Sequence, residues 1–171
     1  ARRVTGRRRI FPLRRNQVAR RRSDGRFDLV LEERLRDVAR HLLDELDQLL
    51  EGSPDDPSLR RLNPPAYLDD PDNEAAYQIL AGDELRSSRR AAIATVRESL
   101  DRDVLTEDEL WTWMQALNSL RLVVGTRLGI EDDDDARQPR TVDEDDPDAP
   151  MWAVYEFATY VQYDVIKALG G

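Results

Sequence analysis

Asn118 and Arg121 are the residues whose types and spacing offer the sharpest chemistry in this chain. An amide and a guanidinium three positions apart fall on one side of a helix. With Met114 and Gly125 they run along one edge of an apolar stripe formed by Leu110, Trp113, Leu117, Leu120, Val124 and Leu128. A guanidinium at an apolar seam must be satisfied by carboxylates, by carbonyls or by a bound anion. Two readings follow. In the structural one, Arg121 pairs with an acid such as Glu156 and Asn118 bonds a neighbouring backbone group; in the functional one, the pair receives a protein partner or a small anion. The structural reading carries more weight, because buried polar groups are as a rule hydrogen-bonded. Tyr67 and Tyr155 complete the candidate partner- or anion-binding set. Trp111, Trp113, Tyr155, Tyr160 and Tyr163 stand at helical spacing, where aromatic side chains more often build core or interface than line a ligand pocket.

A second set is electrostatic. Residues 1–22 hold ten arginines and no acid, within a chain whose net charge is -9. Arg7, Arg8, Arg9, Arg14, Arg15, Arg20, Arg21 and Arg22 are the candidates for nucleic-acid contact, since clustered cations neutralise phosphates, and Phe11 is suited to stack on an unpaired base. The acidic remainder repels nucleic acid at longer range, and no helix-turn-helix or RNA-binding motif accompanies the arm. Pairing of the arm with acidic surface, within or between molecules, is therefore expected ahead of nucleic acid. Only Lys167 among the 26 basic residues is lysine, a bias that a GC-rich genome explains at least as well as selection for guanidinium chemistry.

Enzymatic chemistry finds little foothold. No nucleophile with its base and no phosphate-cradling glycine loop can be assembled. Asp69–Asp70 and Asp101 with Asp103 are carboxylate neighbours at turns or helix ends, where aspartate serves the local backbone. The acidic runs lack the alternating oxygens, central glycine and terminal glutamate of a calcium loop. His41, the only histidine, stands beside surface acids and reads as a solvated residue. Without cysteine there are no disulfides, thiolate metal sites or cysteine nucleophiles. The expectation is a non-enzymatic protein with no cofactor and no metal.

The elements that must position these residues are helical. Leu31, Leu35, Val38, Leu42, Leu46 and Leu49 mark a first long helix ending near Gly52 and Pro54, and residues 55–62 suit one short turn before Pro64–Pro65. A second helix is expected over 73–81, stopped by Gly82. Asp83 then caps a third to about Leu100, with Leu85, Ala92, Val96 and Leu100 facing inward. The helix bearing Asn118 and Arg121 begins at a Thr106/Glu109 capping box and ends at Gly129. Gly125 and Gly129 read as sites of close helix packing. Residues 131–148 carry ten carboxylates and two arginines, a self-repelling composition expected to form a solvated loop. Beyond it Met151, Val154, Tyr155, Ala158, Val161, Val165 and Leu169 stripe a last helix. Asp24–Gly25 is a turn signal for a short amino-terminal hairpin.

The run Trp113 to Ile130, with Asn63-Pro-Pro-Ala-Tyr-Leu-Asp-Asp70, the helix around Tyr77 to Leu85 and the closing Tyr155-Glu-Phe-Ala-Thr159, resembles an actinobacterial family catalogued as a domain of unknown function and often encoded beside the ClpS adaptor. The resemblance covers residues 26–169. Some members are described as oxidative-stress regulators that act on transcription through a redox-sensitive cysteine pair. The resemblance implies a regulatory or adaptor role, with transcription machinery or the Clp system as partners. The thiol switch cannot be carried over to a chain without cysteine.

Length and composition agree with one helical domain of about five helices over 26–171, containing the acidic loop at 131–148, preceded by a basic arm with the hairpin over 1–25. The two carboxyl-side helices are expected to pack together and dominate the core. No apolar run reaches the roughly 20 residues of a membrane span, and the arginines of the amino end are not followed by an apolar core as in a signal peptide. A soluble, cytoplasmic protein is the expectation. Opposite charge on arm and loop also makes self-association plausible.

Overall fold

The computed structural model describes residues 17–130, 143 and 145–170. It is a mostly helical domain with a small antiparallel sheet. In chain order come β1 (Ala19–Arg21), β2 (Phe27–Leu29), α1 (Glu33–Glu51), a 3-10 turn (Pro57–Leu59), α2 (Pro71–Ser99), β3 (Val104–Leu105), α3 (Glu107–Arg127) and α4 (Ala149–Gly170). The hairpin turns where the sequence indicates: Gly25 adopts φ 82°, a left-handed conformation that glycine reaches without steric cost. Ala19 lies opposite Leu29 and Arg21 opposite Phe27. The sheet has a third strand that periodicity did not reveal, since β3 is two residues long and pairs Leu105 with Phe27.

α1 carries the expected stripe. Leu42 and Leu46 are buried, with Ala39, Leu43 and Leu50 beside them. Its most consequential residue is Arg36, 7% exposed. The guanidinium spreads its donors over four acceptors: Nε to Leu31 O at 2.9 Å, Nη1 to Leu100 O at 2.5 Å and to Arg102 O at 3.0 Å, and Nη2 to Asp103 Oδ1 at 3.0 Å. The planar fork of arginine suits such divided bonding, and a lysine ammonium does not. Asp103 O in turn accepts from the Leu29 amide at 2.8 Å. One side chain thus fixes α1, the end of α2 and the sheet to one another.

The helices expected at 73–81 and from Asp83 onward are one continuous element, α2, so the described residues form four α-helices where five were expected. Gly82 does not stop the chain because it lacks the positive φ of a helix-ending glycine; among the described residues only Gly25 and Gly129 have it. An interior glycine costs about 1 kcal/mol relative to alanine, less than abandoning a helix already nucleated from the Asp70 cap and Pro71. The inward face also starts later than the pattern suggested. Ala92, Ile93, Val96 and Leu100 are buried, whereas Leu85 is exposed. The amino-terminal half of α2 runs beyond the core.

α3 begins at the capping box: Glu109 N donates to Thr106 Oγ1 at 3.2 Å, and Thr106 N to Glu109 Oε2 at 2.9 Å. It ends in a Schellman motif, Ile130 N donating to Gly125 O at 2.9 Å and Gly129 N to Thr126 O at 3.1 Å, with Gly129 at φ 73°. Gly129 therefore terminates the helix and does not serve packing. α3 and α4 make the broadest helix pairing, with Leu110, Trp113, Leu117 and Leu120 meeting Phe157, Ala158, Val161 and Val165 in one core. Trp113 donates from Nε1 to Ser99 Oγ at 2.7 Å, and Ser99 Oγ donates to Val96 O at 2.9 Å, so the indole is buried without an orphaned donor.

Two outcomes check this description. Arg36→Met keeps the volume and strands three backbone carbonyls, so urea unfolding is expected to show a loss of roughly 3 kcal/mol; a loss no larger than that of a surface substitution would contradict the staple. The second concerns Asp47, which receives Arg90 Nε at 2.8 Å and Arg97 Nη2 at 3.2 Å. The hydrogen bond from Arg90, reinforced by the charges of Arg90 and Arg97 against partial burial, holds its carboxyl below the ordinary range. The folded state then binds the proton more weakly than the unfolded one. That stabilisation is complete above about pH 4 and is lost as pH falls through the lower, folded-state value. Asp47→Asn is expected to cost about 1 kcal/mol at neutral pH and progressively less on acidification, read as the gap between wild-type and variant Tm.

Candidate functional site

The polar edge of α3 meets α4 through a residue the sequence reading passed over. Gln162 is 9% exposed and bridges the two candidates: Arg121 Nη1 donates to Gln162 Oε1 at 3.3 Å, and Gln162 Nε2 donates to Asn118 Oδ1 at 3.4 Å. Gln162 lies inside the α4 stripe, one position after Val161 and three before Val165. A primary amide amid apolar positions was the available signal, because such a group is placed there only with partners.

Tyr155 belongs to the same cluster. The Arg121 guanidinium lies over its ring at 5.7 Å from the centroid, within the range of a cation–π contact. Trp152 meets the ring edge-on at 6.1 Å. Gly125 makes this approach feasible: a Cβ there would stand 3.3 Å from Tyr155 Cε2 and 3.3 Å from Arg61 Nη1. Arg61 Nη1 itself donates to Ile130 O at 3.0 Å, holding the Schellman turn. The close-packing role read for Gly125 thus has a specific object, the phenol ring of α4.

Tyr67 stands apart from that cluster. It precedes α2, half exposed, with its ring edge-on to Tyr77 at 6.1 Å and its amide donating to Glu74 Oε2 at 2.7 Å. Among the arginines of the arm, Arg7, Arg8, Arg9, Arg14 and Arg15 lie outside the described residues. Arg20 is exposed opposite Asp28. Arg21 donates to Leu169 O at 3.1 Å and covers the Phe27 ring at 4.9 Å. Arg22 pairs with Asp28 at 3.0 Å and with Asp24 at 3.5 Å. Two of the three described arginines therefore spend their guanidinium groups on the hairpin and on α4. Asp164 anchors the same hairpin by accepting from the amides of Val18 and Ala19, the latter at 3.1 Å.

Chemically, the seam offers a guanidinium, two amides and an aromatic face, a set suited to recognising planar or anionic groups and poor in nucleophiles and bases. His41 is exposed beside Glu45 at 3.4 Å. Asp101 and Asp103 each take an arginine, Arg40 at 2.6 Å and Arg36 at 3.0 Å. Among the described residues no group of three or more His, Asp or Glu side chains could hold a metal ion, and no helix is long and apolar enough to cross a membrane.

The putative oxidative stress regulator AosR of Mycobacterium leprae (strain TN) is 34% identical over 133 residues, covering 68% of this chain and 59% of the relative. The oxidative stress regulators AosR of Mycobacterium tuberculosis (strain ATCC 25618 / H37Rv) and Mycobacterium bovis (strain ATCC BAA-935 / AF2122/97) are each 33% identical over 135 residues, covering 69% of this chain and 60% of each relative. The chain thus spans about three-fifths of the length of these curated relatives. No solved structure gives a significant match. Residues 16–169 fit the family model described as Domain of unknown function (DUF2017), and with nine-tenths of its length inside that model, this chain is a member of the DUF2017 family.

Proposed function

We propose that this chain is a non-enzymatic regulatory or adaptor module that works by protein contact in oxidative-stress control of transcription. The similarity to proteins named as oxidative stress regulators carries the reading. The seam supports it: Arg121 and Asn118 remain partly exposed at the edge of the α3–α4 contact, where a guanidinium over an aromatic ring makes a rigid recognition element. Trp111, Tyr163 and Ile166 on the same two helices are open to solvent. These 171 residues hold no cysteine, so in this reading the redox signal reaches the module from outside it. Transcription machinery, such as a polymerase subunit or sigma factor, and components of the Clp system are the partners to expect, in the cytoplasm.

Affinity capture from native lysate, with and without peroxide, tests this. Recovery of a polymerase subunit, sigma factor or Clp component, reduced about tenfold by Arg121→Ala with helical content unchanged, is the expected outcome. Turnover of a defined metabolite abolished by one point substitution would overturn it. The ten arginines at the amino end motivate nucleic-acid contact as the second reading. Removing residues 1–16 spares β1 and is expected to leave DNA affinity unchanged if the arm serves protein contacts. A large loss of DNA binding on that deletion would favour the second reading.

A further inference from the structure

The amino-terminal part of α2 is a helix with almost nothing packed on one of its sides. No residue from Pro71 to Ala91 is buried, although the segment is about 30 Å long at the rise of an α-helix. One flank is covered by the connection before it: Glu74 accepts from the amides of Ala66 and Tyr67 at 2.9 and 2.7 Å, Arg89 Nη1 donates to Asn63 Oδ1 at 2.8 Å, and Tyr67 meets Tyr77. The other flank carries Asp72, Ala76, Ile79, Leu80, Asp83 and Arg86, whose spacing lays them along a single face. Ile79 is 75% and Leu80 79% exposed. Beside them opens a groove of about 530 Å³ bounded by Ile79, Gly82 and Arg86 on α2 and by Pro57 and Leu59 of the 3-10 turn.

The order of charges along this face indicates what covers it. An acid, Asp72, precedes the apolar pair and a base, Arg86, follows it. Among the described residues neither charged group is engaged in an ion pair or a side-chain hydrogen bond. A twofold axis between Ile79 and Leu80 would set two α2 helices antiparallel. Ile79 would then lie opposite Leu80 of the second copy, and Ala76 opposite Asp83. Asp72, about 11 Å from the axis, would meet Arg86, about 10 Å from it on the other helix. The match occurs twice, as a two-fold interface requires. A partner of unrelated sequence would call for no such self-complementarity.

We propose that this face of α2 is a homodimer interface, closed by Ile79 and Leu80 at its centre and by reciprocal Asp72–Arg86 ion pairs at its ends. The inference does not depend on the regulatory reading. Sedimentation of the 171-residue chain over a range of concentrations is expected to show a reversible monomer–dimer equilibrium. Leu80→Glu, at a position too exposed to matter for folding, should raise the dimer Kd about 100-fold or more with the helical circular dichroism unchanged. Asp72→Arg and Arg86→Asp should each weaken the dimer, and combining them should restore it, because the exchanged charges again face their opposites. A chain that stays monomeric throughout, a dimer indifferent to Leu80→Glu, or a double variant no tighter than either single one would each overturn the proposal.

Discussion

The buried guanidinium of Arg36 is the interaction on which the arrangement of elements depends. Its carboxylate partner, Asp103, is almost fully solvated, so the charge is stabilised chiefly by the carbonyls of Leu31, Leu100 and Arg102. The Leu31 carbonyl lies at the entry into α1, and those of Leu100 and Arg102 lie at the carboxyl end of α2 and the turn after it, where helix geometry leaves backbone acceptors unpaired. Arg36 therefore meets two needs together: it completes the end of α2, and it supplies donors that the connection to β3 would otherwise lack. The third strand can be as short as two residues because the turn leading into it is already fixed.

Around that staple the domain divides its labour between apolar and polar contacts. Leu110, Trp113, Leu120, Phe157 and Val161 remove the faces of α3 and α4 from water, which supplies driving force without direction. Direction comes from the polar groups set into the same faces. Gln162 can satisfy Asn118 and Arg121 together only in one register of the two helices, and Gly125 admits the Tyr155 ring only at one height along α3. The seam that presents recognition groups is thus also the feature that aligns the helices presenting it.

The legible parts of the fold were those determined within one turn of chain. The capping box of α3, the positive φ of Gly25 and Gly129 and the stripe of α4 each depend on neighbours a few residues away. Gly82 was misread because glycine signals a helix end only in the left-handed conformation, and its neighbours do not reveal which conformation it takes. Arg36, Gln162 and Asp164 were missed for a different reason. Each interrupts or borders an apolar face, yet partners that decide its role lie far along the chain, 41 residues away in the bond from Arg121 to Gln162, 64 in that from Arg36 to Leu100 and 146 in that from Val18 to Asp164. Of the candidate site, Asn118, Arg121 and Tyr155 were legible from α3 and α4 spacing, while the amide that joins the first two was not. Tyr67 was placed with them by residue type alone, and the fold sends it elsewhere.

The carboxylate of Asp164, seated under the amides of Val18 and Ala19, has a bearing on how the molecule is made. Among the described elements, the strand it holds leaves the ribosome first and the helix that carries it leaves last. During synthesis β2 can pair with β3 before α4 emerges, but the amides of Val18 and Ala19 reach their carboxylate only after translation has passed α4. Until then the first strand of the sheet lacks the contact that ties it to the last described helix.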